Sequence, residues 1–595
     1  MKKKIAVLLV GTMFFSGLPF VNSQAANEQR TTVEEQTVKE LEDETIQEQE
    51  KNEEENEVED QTAAEDQTVV EDQNESDNVA VEEDNELPID PGDQEQPGEE
   101  MSVKARQVIN INKGWEFTTN DTTTDGWGLP EGSASGAVDL PHCWEYVHPS
   151  KSYIPQFNQK TVTYTKTIDI SEIKNKNMFL KFYGSARNTE VLIDGEKVGT
   201  HIGGYSAFVF DISDYVKEKD QITITANVTN MDTVSIPINV DYTQWGGIYR
   251  DVELISTDDQ YIATEDYGND GIYVDYSVQG RAASVKLRTE LSNKAEEAKN
   301  LKLVTEIQDA DGNQVSADER MVSVDAGAAA ESFETDYRIS SVHLWNGTKD
   351  PYLYTMKVEV YDESGENLLD TVSKKFGVRT YEIKDGKFYL NGNEYEIHGV
   401  GLHQDREGYG NAVPDELKKQ DMDLMQEMGV NAIRTAHYPH DQYIYDQADE
   451  RGIIVYAEIP YYLLLSNAES YQESIREQLK EMIHQGYNHP SIMMWGIQNE
   501  VFQSDSFAKF GDDFKVDEDT LVAFNSALAE LAQSEDSSRY IVQAEIDGKA
   551  ANQTAAKWSR DGRVDYTGLN LYIGFKSCLL SKLKTLDFTD FCPIF

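Results

Sequence analysis

Six short apolar stretches recur between residues 396 and 572: "EIHGVGLH", "VNAIRTAHY", "GIIVYAEIP", "SIMMWGIQNE", "RYIVQAEI" and "VDYTGLNLY". A strand apolar on both faces has to be covered on both faces, which is the condition of a parallel sheet sheathed by helices. The intervening segments supply those helices. In "PDELKKQDMDLMQEMG" Leu417, Leu424, Met425 and Met428 are assigned to one helical face, with Gly429 as the stop. "YQESIREQLKEMIHQG" repeats the device with Ile475, Leu479, Met482 and Ile483. Six strands in succession, with polar residues gathered at their C-terminal ends, predict a (β/α)8 TIM barrel over residues 378–595 rather than an open sheet.

The polar ends are where such a barrel opens. "SIMMWGIQNE" stops on Asn499 and Glu500, and His403, His437 with Tyr438, Glu458, and Asn570 with Tyr572 end other strands in the same way. One polar strand end means little, since most are merely solvated. Their repetition predicts a site at the C-terminal face. Carboxyl groups, imidazoles and amides around one mouth suit cleavage of a glycosidic bond, which uses two carboxyls, one of them protonated. Glu500, closing an apolar strand, is expected to have the raised pKa of a general acid. Asn499 is the residue type to hydrogen-bond a sugar 2-hydroxyl.

Upstream, the rhythm is one of short alternating strands and turns. "NMFLKFYGSARNTEVLIDGEKVG" gives two strands with Asp194-Gly195 in a hairpin position, and a jelly-roll β-sandwich is predicted over 105–255. "SVKLRTEL", "LKLVTEIQDADG" and "LYTMKVEVYDESG" predict an immunoglobulin-like sandwich over 256–377. Residues 1–25 read as a secretory signal peptide, with Lys2, Lys3 and Lys4 before an apolar run and cleavage before Ala26. A secreted or cell-surface location follows as an expectation. No later stretch reaches the ~18 consecutive apolar residues of a spanning helix.

Residues 27–100 hold 30 Asp or Glu against 3 Lys or Arg, within a chain of net charge −57. No aromatic residue lies between Phe20 and Trp115, so the stretch 26–104 cannot build a core and is read as a disordered acidic linker. The acidic balance excludes nucleic acid as a partner, because phosphate contacts need a surplus of Lys and Arg. Three cysteines, Cys143, Cys578 and Cys592, are too few for a disulfide scaffold.

Longer motifs now become specific. "VDLPHCWE", "HIGGYSAFVFDIS", "WGGIYRDVEL", "LWNGTKDPYLY", "FGVRTYEI", "GVGLHQDREGYGNA", "MGVNAIRTAHYPH" and "NHPSIMMWGIQNE" occur in this order between Trp115 and Tyr572. In them the chain resembles glycoside hydrolase family 2, and a secreted bacterial β-galactosidase more than a β-glucuronidase or β-mannosidase. The resemblance implies Glu500 as acid/base and Asn499 as the 2-hydroxyl contact. It implies His403 and His437 as sugar contacts, Asp241 as an aspartate reaching in from the first sandwich, and Tyr572 as the partner of the nucleophile. Glu458 and Asn570 complete the substrate-binding set. The substrate implied is a β-galactoside oligosaccharide or glycoconjugate, and a homo-oligomer is compatible with the family. No cofactor is certain; Mg or Na are the candidates, but the Glu-x-His ligand pair expected after the third strand is replaced by "IPYYLLL".

The chain also departs from the pattern. A retaining member needs a second glutamate ending a seventh strand, yet "IGFKSCLLSKLKTLDFTDFCPIF" after Tyr572 contains no Glu. The expectation is therefore a barrel truncated after its sixth strand, an inactive fragment without its nucleophile. A slip of reading frame near Gly574 would account for the change of character. Two other readings stay open: a non-catalytic carbohydrate-binding protein and a family 2 β-glucuronidase. For the acidic stretch the expected outcome is simple. Deleting residues 27–100 leaves the melting temperature unchanged within error in a thermal scan, because nothing there can join a core.

Overall fold

The computed structural model describes residues 105–119, 135–144, 160–174, 176–231, 242–502, 504–505, 511–546 and 566–570. The leader, the acidic stretch, Asp241, Tyr572, Cys578 and Cys592 lie outside the described residues, as does the chain beyond Asn570.

The first β-rich region forms an antiparallel two-sheet sandwich. Gln107–Asn110, Val252–Thr257, Asn177–Phe182 and Phe208–Asp211 make one sheet in that order. Gly136–Val138, Trp115–Thr119, Thr161–Asp169, Gln221–Thr229, Asn188–Ile193 and Glu196–Ile202 make the other. Period-2 alternation does the work: Ile222, Ile224, Ala226 and Val228 point into the core, and the residues between them do not. The boundary expected between residues 255 and 256 falls inside the strand Val252–Thr257.

Close packing fixes the "WGGIYR" segment. A Cβ at Gly246 would lie 1.8 Å from Trp144 Cζ2, and one at Gly247, where φ is +148°, would lie 2.0 Å from the His142 carbonyl oxygen. Only glycine admits the backbone that close. The result is a small sheet, Gly247–Ile248 between His142–Cys143 and Ser185–Ala186, which turns the following residues toward the barrel.

The second region is a sandwich of two four-stranded sheets, with Ala282–Asn293 central in one and Lys299–Gln308 paired to both Gln314–Val324 and Tyr354–Tyr361 in the other. Arg106, from the start of the first sandwich, binds Asp370 through Nε and Nη2 at 2.8 and 2.7 Å and ties the two sandwiches together.

Six parallel strands follow, numbered here β1 to β6: Gly399–Leu402, Ala432–Thr435, Ile454–Glu458, Ile492–Asn499, Tyr540–Ile546 and Tyr566–Asn570. They pair in sequence order. Helices α1 (Asp415–Glu427), α2 (Gln442–Arg451), α3 (Glu469–Gly486) and α4 (Glu518–Glu535) lie between them in the chain. The β/α units expected of a TIM barrel are thus present among the described residues. Every residue of β2, β3 and β4 is buried, as two-sided covering requires. None of the described helices is long and apolar enough to cross a membrane.

In α3 Ile475, Leu479, Met482 and Ile483 are buried as expected. The face assigned to α1 is corrected. Its buried residues are Met422 and Met425, whereas Leu424 is 52 % and Met428 70 % exposed. The reason is position: α1 packs beside α2, and β1 is the outermost strand of the described sheet, so one flank of α1 has no described neighbour.

Candidate active site

The end of β2 brings a charge into an otherwise apolar layer. Arg434 donates through Nε (3.0 Å) and Nη2 (2.8 Å) to Glu458 Oε2, and through Nη2 (2.6 Å) to Asn499 Oδ1. The other carboxylate oxygen of Glu458 meets His437 Nδ1 at 2.5 Å. Both oxygens of this fully buried carboxylate are therefore engaged. Burial works against its charge, but Arg434 and His437 prevail and hold its pKa down at about 2. Glu458 thus supports the site from below, rather than presenting itself to a ligand.

Asn499 and Glu500 are set in place by backbone on two sides. Asn499 N–H donates to the Tyr461 carbonyl (2.8 Å), and Leu463 N–H donates to the Asn499 carbonyl (3.0 Å). Glu500 N–H donates to the Ala544 carbonyl of β5 (2.7 Å). Glu500 itself adopts φ +54°, a left-handed conformation that costs a non-glycine residue about 1–3 kcal/mol and persists only where the surroundings over-determine it. It is 3 % exposed, and Asn499 is 1 % exposed. Because Asn499 Oδ1 faces Arg434, the orientation of its amide is defined.

The two histidines lie side by side after β1 and β2. His403, just after β1, contacts the Tyr438 hydroxyl through Nδ1 at 3.1 Å. Burial, reinforced by His437, lowers its pKa to about 3, so the imidazole is neutral across the ordinary pH range. A neutral imidazole offers one donor and one acceptor, which suits a sugar hydroxyl. Its ring stands 5.4 Å from that of His437, centroid to centroid. The structure thus brings together His403, His437, Glu458, Asn499 and Glu500. Asn570 is the last residue of β6, and its side chain lies outside the described residues, as do Asp241 and Tyr572.

The first sandwich contributes directly. Trp245 Nε1 donates to Asp405 Oδ2 at 3.3 Å, and burial raises the Asp405 pKa. The Tyr242 ring lies 5.6 Å from His403 and 6.0 Å from His437. Tyr205 stacks on Tyr438 at 4.1 Å. Arg250 Nη2 bridges the Gln404 side chain and the Pro439 carbonyl, each at 2.8 Å. The loops after β1 and β2 are consequently held from outside the barrel.

Several residues around the site escaped sequence reasoning. Arg434 had a usable signal, because a charge inside a strand covered on both faces has to be paired. Glu545, which is 1 % exposed near the end of β5, had the same signal as Glu500, an apolar strand closing on a glutamate. Arg250 and Trp245 carried no such mark.

A Mg or Na ion beside Glu500 finds no donor set among the described residues, since the oxygens of Glu458 are spent on Arg434 and His437. A group with ligand-like spacing, Asp446, Asp449 and His489, involves other surroundings. There Asp449 accepts from His489 Nδ1 (2.6 Å) and Ser491 N–H (3.0 Å), a tie between α2 and the start of β4.

Comparison with known proteins agrees with this domain architecture. Residues 140–258 match the sugar binding domain of glycosyl hydrolases family 2, residues 270–379 the model described as glycosyl hydrolases family 2, and residues 381–560 that family's TIM barrel domain. A β-glucuronidase of Bacteroides fragilis is 37% identical over 412 residues, 67% of this chain and 56% of the relative. A β-galactosidase of Thermoanaerobacter pseudethanolicus is 32% identical over 413 residues, 68% of this chain and 53% of the relative. The crystal structure of a Bacteroides uniformis β-glucuronidase superposes with a TM-score of 0.72 at 28% identity, over 80% of this chain and 56% of that one. The chain spans about half the length of the curated relatives it matches.

The Arg434–Glu458 pair generates a stability test. Glu458→Gln leaves a buried guanidinium without its counter-charge, and a loss of about 3–5 kcal/mol is expected in chemical denaturation. The native carboxylate has a pKa of about 2 against an ordinary 4.5, so its contribution is present above 4.5 and is lost as pH falls toward 2. The difference between the two proteins should shrink in that window.

Proposed function

The chain belongs to family 2 of the glycoside hydrolases, and on that premise we propose that it derives from a retaining, exo-acting enzyme that releases terminal β-D-galactose. The observation that carries the reading is Glu500, which follows the apolar strand β4 beside Asn499, with its N–H held by Ala544 and that of Asn499 by Tyr461. In the proposed reaction Glu500 protonates the glycosidic oxygen as that bond breaks. It then takes a proton from the water that releases the sugar. Asn499 hydrogen-bonds the 2-hydroxyl, neutral His403 receives another hydroxyl, and His437 a further one. The nucleophile is a second carboxylate about 5–5.5 Å from the first in retaining enzymes, and it is assigned to none of the described residues. The leader supports export, so the substrate would be met outside the cytoplasm.

Charge favours a neutral sugar. Glu500 and Asp405 bring carboxyl groups to the strand ends, while Arg434 is engaged by Glu458 and Asn499. A substrate carboxylate would find the Arg434 guanidinium already committed to Glu458 and Asn499. A second reading, β-glucuronide hydrolysis, is favoured by the name of the 37% identical relative.

Two measurements test the proposal. In a full-length version that carries the nucleophile, Glu500→Gln is expected to lower turnover of β-galactosides with poor leaving groups by about 10²–10⁴-fold, and to affect activated aryl β-galactosides far less. Equal effects on both classes would remove the acid/base assignment. In a panel of aryl β-galactoside, β-glucuronide and β-mannoside, with binding of the free sugars measured by calorimetry alongside, the galacto configuration is expected to lead. A glucuronide preference of about tenfold, worth 1.4 kcal/mol, would select the second reading.

A further inference from the structure

Glu545 has no part in the chemistry above, yet it stands directly behind the acid/base. Its Oε1 accepts from Gln498 Nε2 at 2.9 Å. The other end of that same amide, Gln498 Oε1, accepts from the Val501 N–H at 3.0 Å. Gln498 is wholly buried and Glu545 nearly so. Between the two anchored positions lies Glu500, in its left-handed conformation, with its own N–H on Ala544, the residue before Glu545. The contacts form a closed circuit from β5 to β4 and back.

We propose that Glu545 is a positioning residue for Glu500: its carboxyl clamps the Gln498 amide, and that amide clamps the turn from which Glu500 projects. The proposal rests on the acid/base reading of Glu500. A second carboxyl so near the first would be harmful if both were charged. Burial, with a further contribution from Glu500, pushes the Glu545 carboxyl up to about 8, although the Gln498 hydrogen bond opposes this. At neutral pH it is therefore an uncharged acceptor for Gln498. Tyr461, from the segment after β3, faces the same carboxyl, and burial keeps its phenol protonated too. Such an arrangement steadies the turn without adding charge beside the group that has to gain and lose a proton.

The exchange readout uses the 595-residue chain, and the kinetic readout a full-length version that carries the nucleophile. In amide hydrogen exchange, Glu545→Ala is expected to speed exchange at Glu500 and Val501 by about tenfold or more, because the clamp opens locally. Glu545→Gln keeps an oxygen for Gln498 and is expected to restore most of the protection. Gln498→Met, which keeps the volume but removes the Val501 acceptor, is expected to release the same amides, and it serves if Glu545→Ala does not fold. In kinetics, Glu545→Ala is expected to lower kcat on poor leaving groups with little change in KM, and Glu545→Gln to recover most of the loss. Unchanged exchange in Gln498→Met, or equal loss of protection in Glu545→Gln and Glu545→Ala, would overturn the proposal. Kinetics insensitive to Glu500→Gln would instead count against the acid/base reading, and the exchange experiment would still decide the clamp.

Discussion

Arg434 is 9 % exposed inside the barrel, and a guanidinium taken that far out of water has to be paired and hydrogen-bonded. The pairing organises three strands at once. Glu458 supplies the counter-charge from β3, and Asn499 supplies a carbonyl from β4. His437, from the loop after β2, takes the remaining carboxylate oxygen. Removing any partner would leave the others with polar atoms facing apolar neighbours. This network fixes the relative height of β2, β3 and β4, and so determines where Glu500 emerges. A buried ion pair of this kind adds little net stability compared with apolar packing, but it admits few alternative arrangements.

The barrel strands do not hold the mouth alone. Arg250 and Trp245 grip the loop after β1, and Arg250 and Tyr205 the loop after β2, from the first sandwich. On its flank α3 is fastened to both sandwiches. His201 meets Glu481 at 2.7 Å, Gln485 exchanges two hydrogen bonds with the backbone of Ala207, and Asn269 donates to the His484 carbonyl at 2.6 Å. Loops that would be mobile on an isolated barrel are thereby tied to a large, well-packed neighbour. The domain order along the chain is thus a requirement of the site as well as a record of its ancestry.

Much of the barrel was legible beforehand, for a plain reason. Strands covered on both faces are apolar throughout, so a polar residue at their ends stands out. His403, His437, Asn499 and Glu500 were singled out in this way, and the structure places them at neighbouring strand ends. Glu458 was found too, but its role differs, because the sequence does not show that Arg434 lies within reach. The helical face of α1 was misread, since periodicity reports which residues share a face and not which face has a neighbour. Leu424 and Met428 share a face, and that face is the open one.

By itself the sequence determined the order of the domains, the class of each, and the strand ends at which the chemistry gathers. These follow from local patterns: period 2 in the sandwiches, and apolar strands between amphipathic helices in the barrel. Only the tertiary structure decided which charges meet. Arg434 and Glu458 are 24 residues apart, Arg250 and Gln404 are 154 apart, and Gln498 and Glu545 are 47 apart. Partners at such separations are chosen by strand register and domain docking, and no local pattern encodes those distances. The left-handed turn at Glu500 belongs to the same class, because a glutamate is placed there only when neighbouring strands hold it.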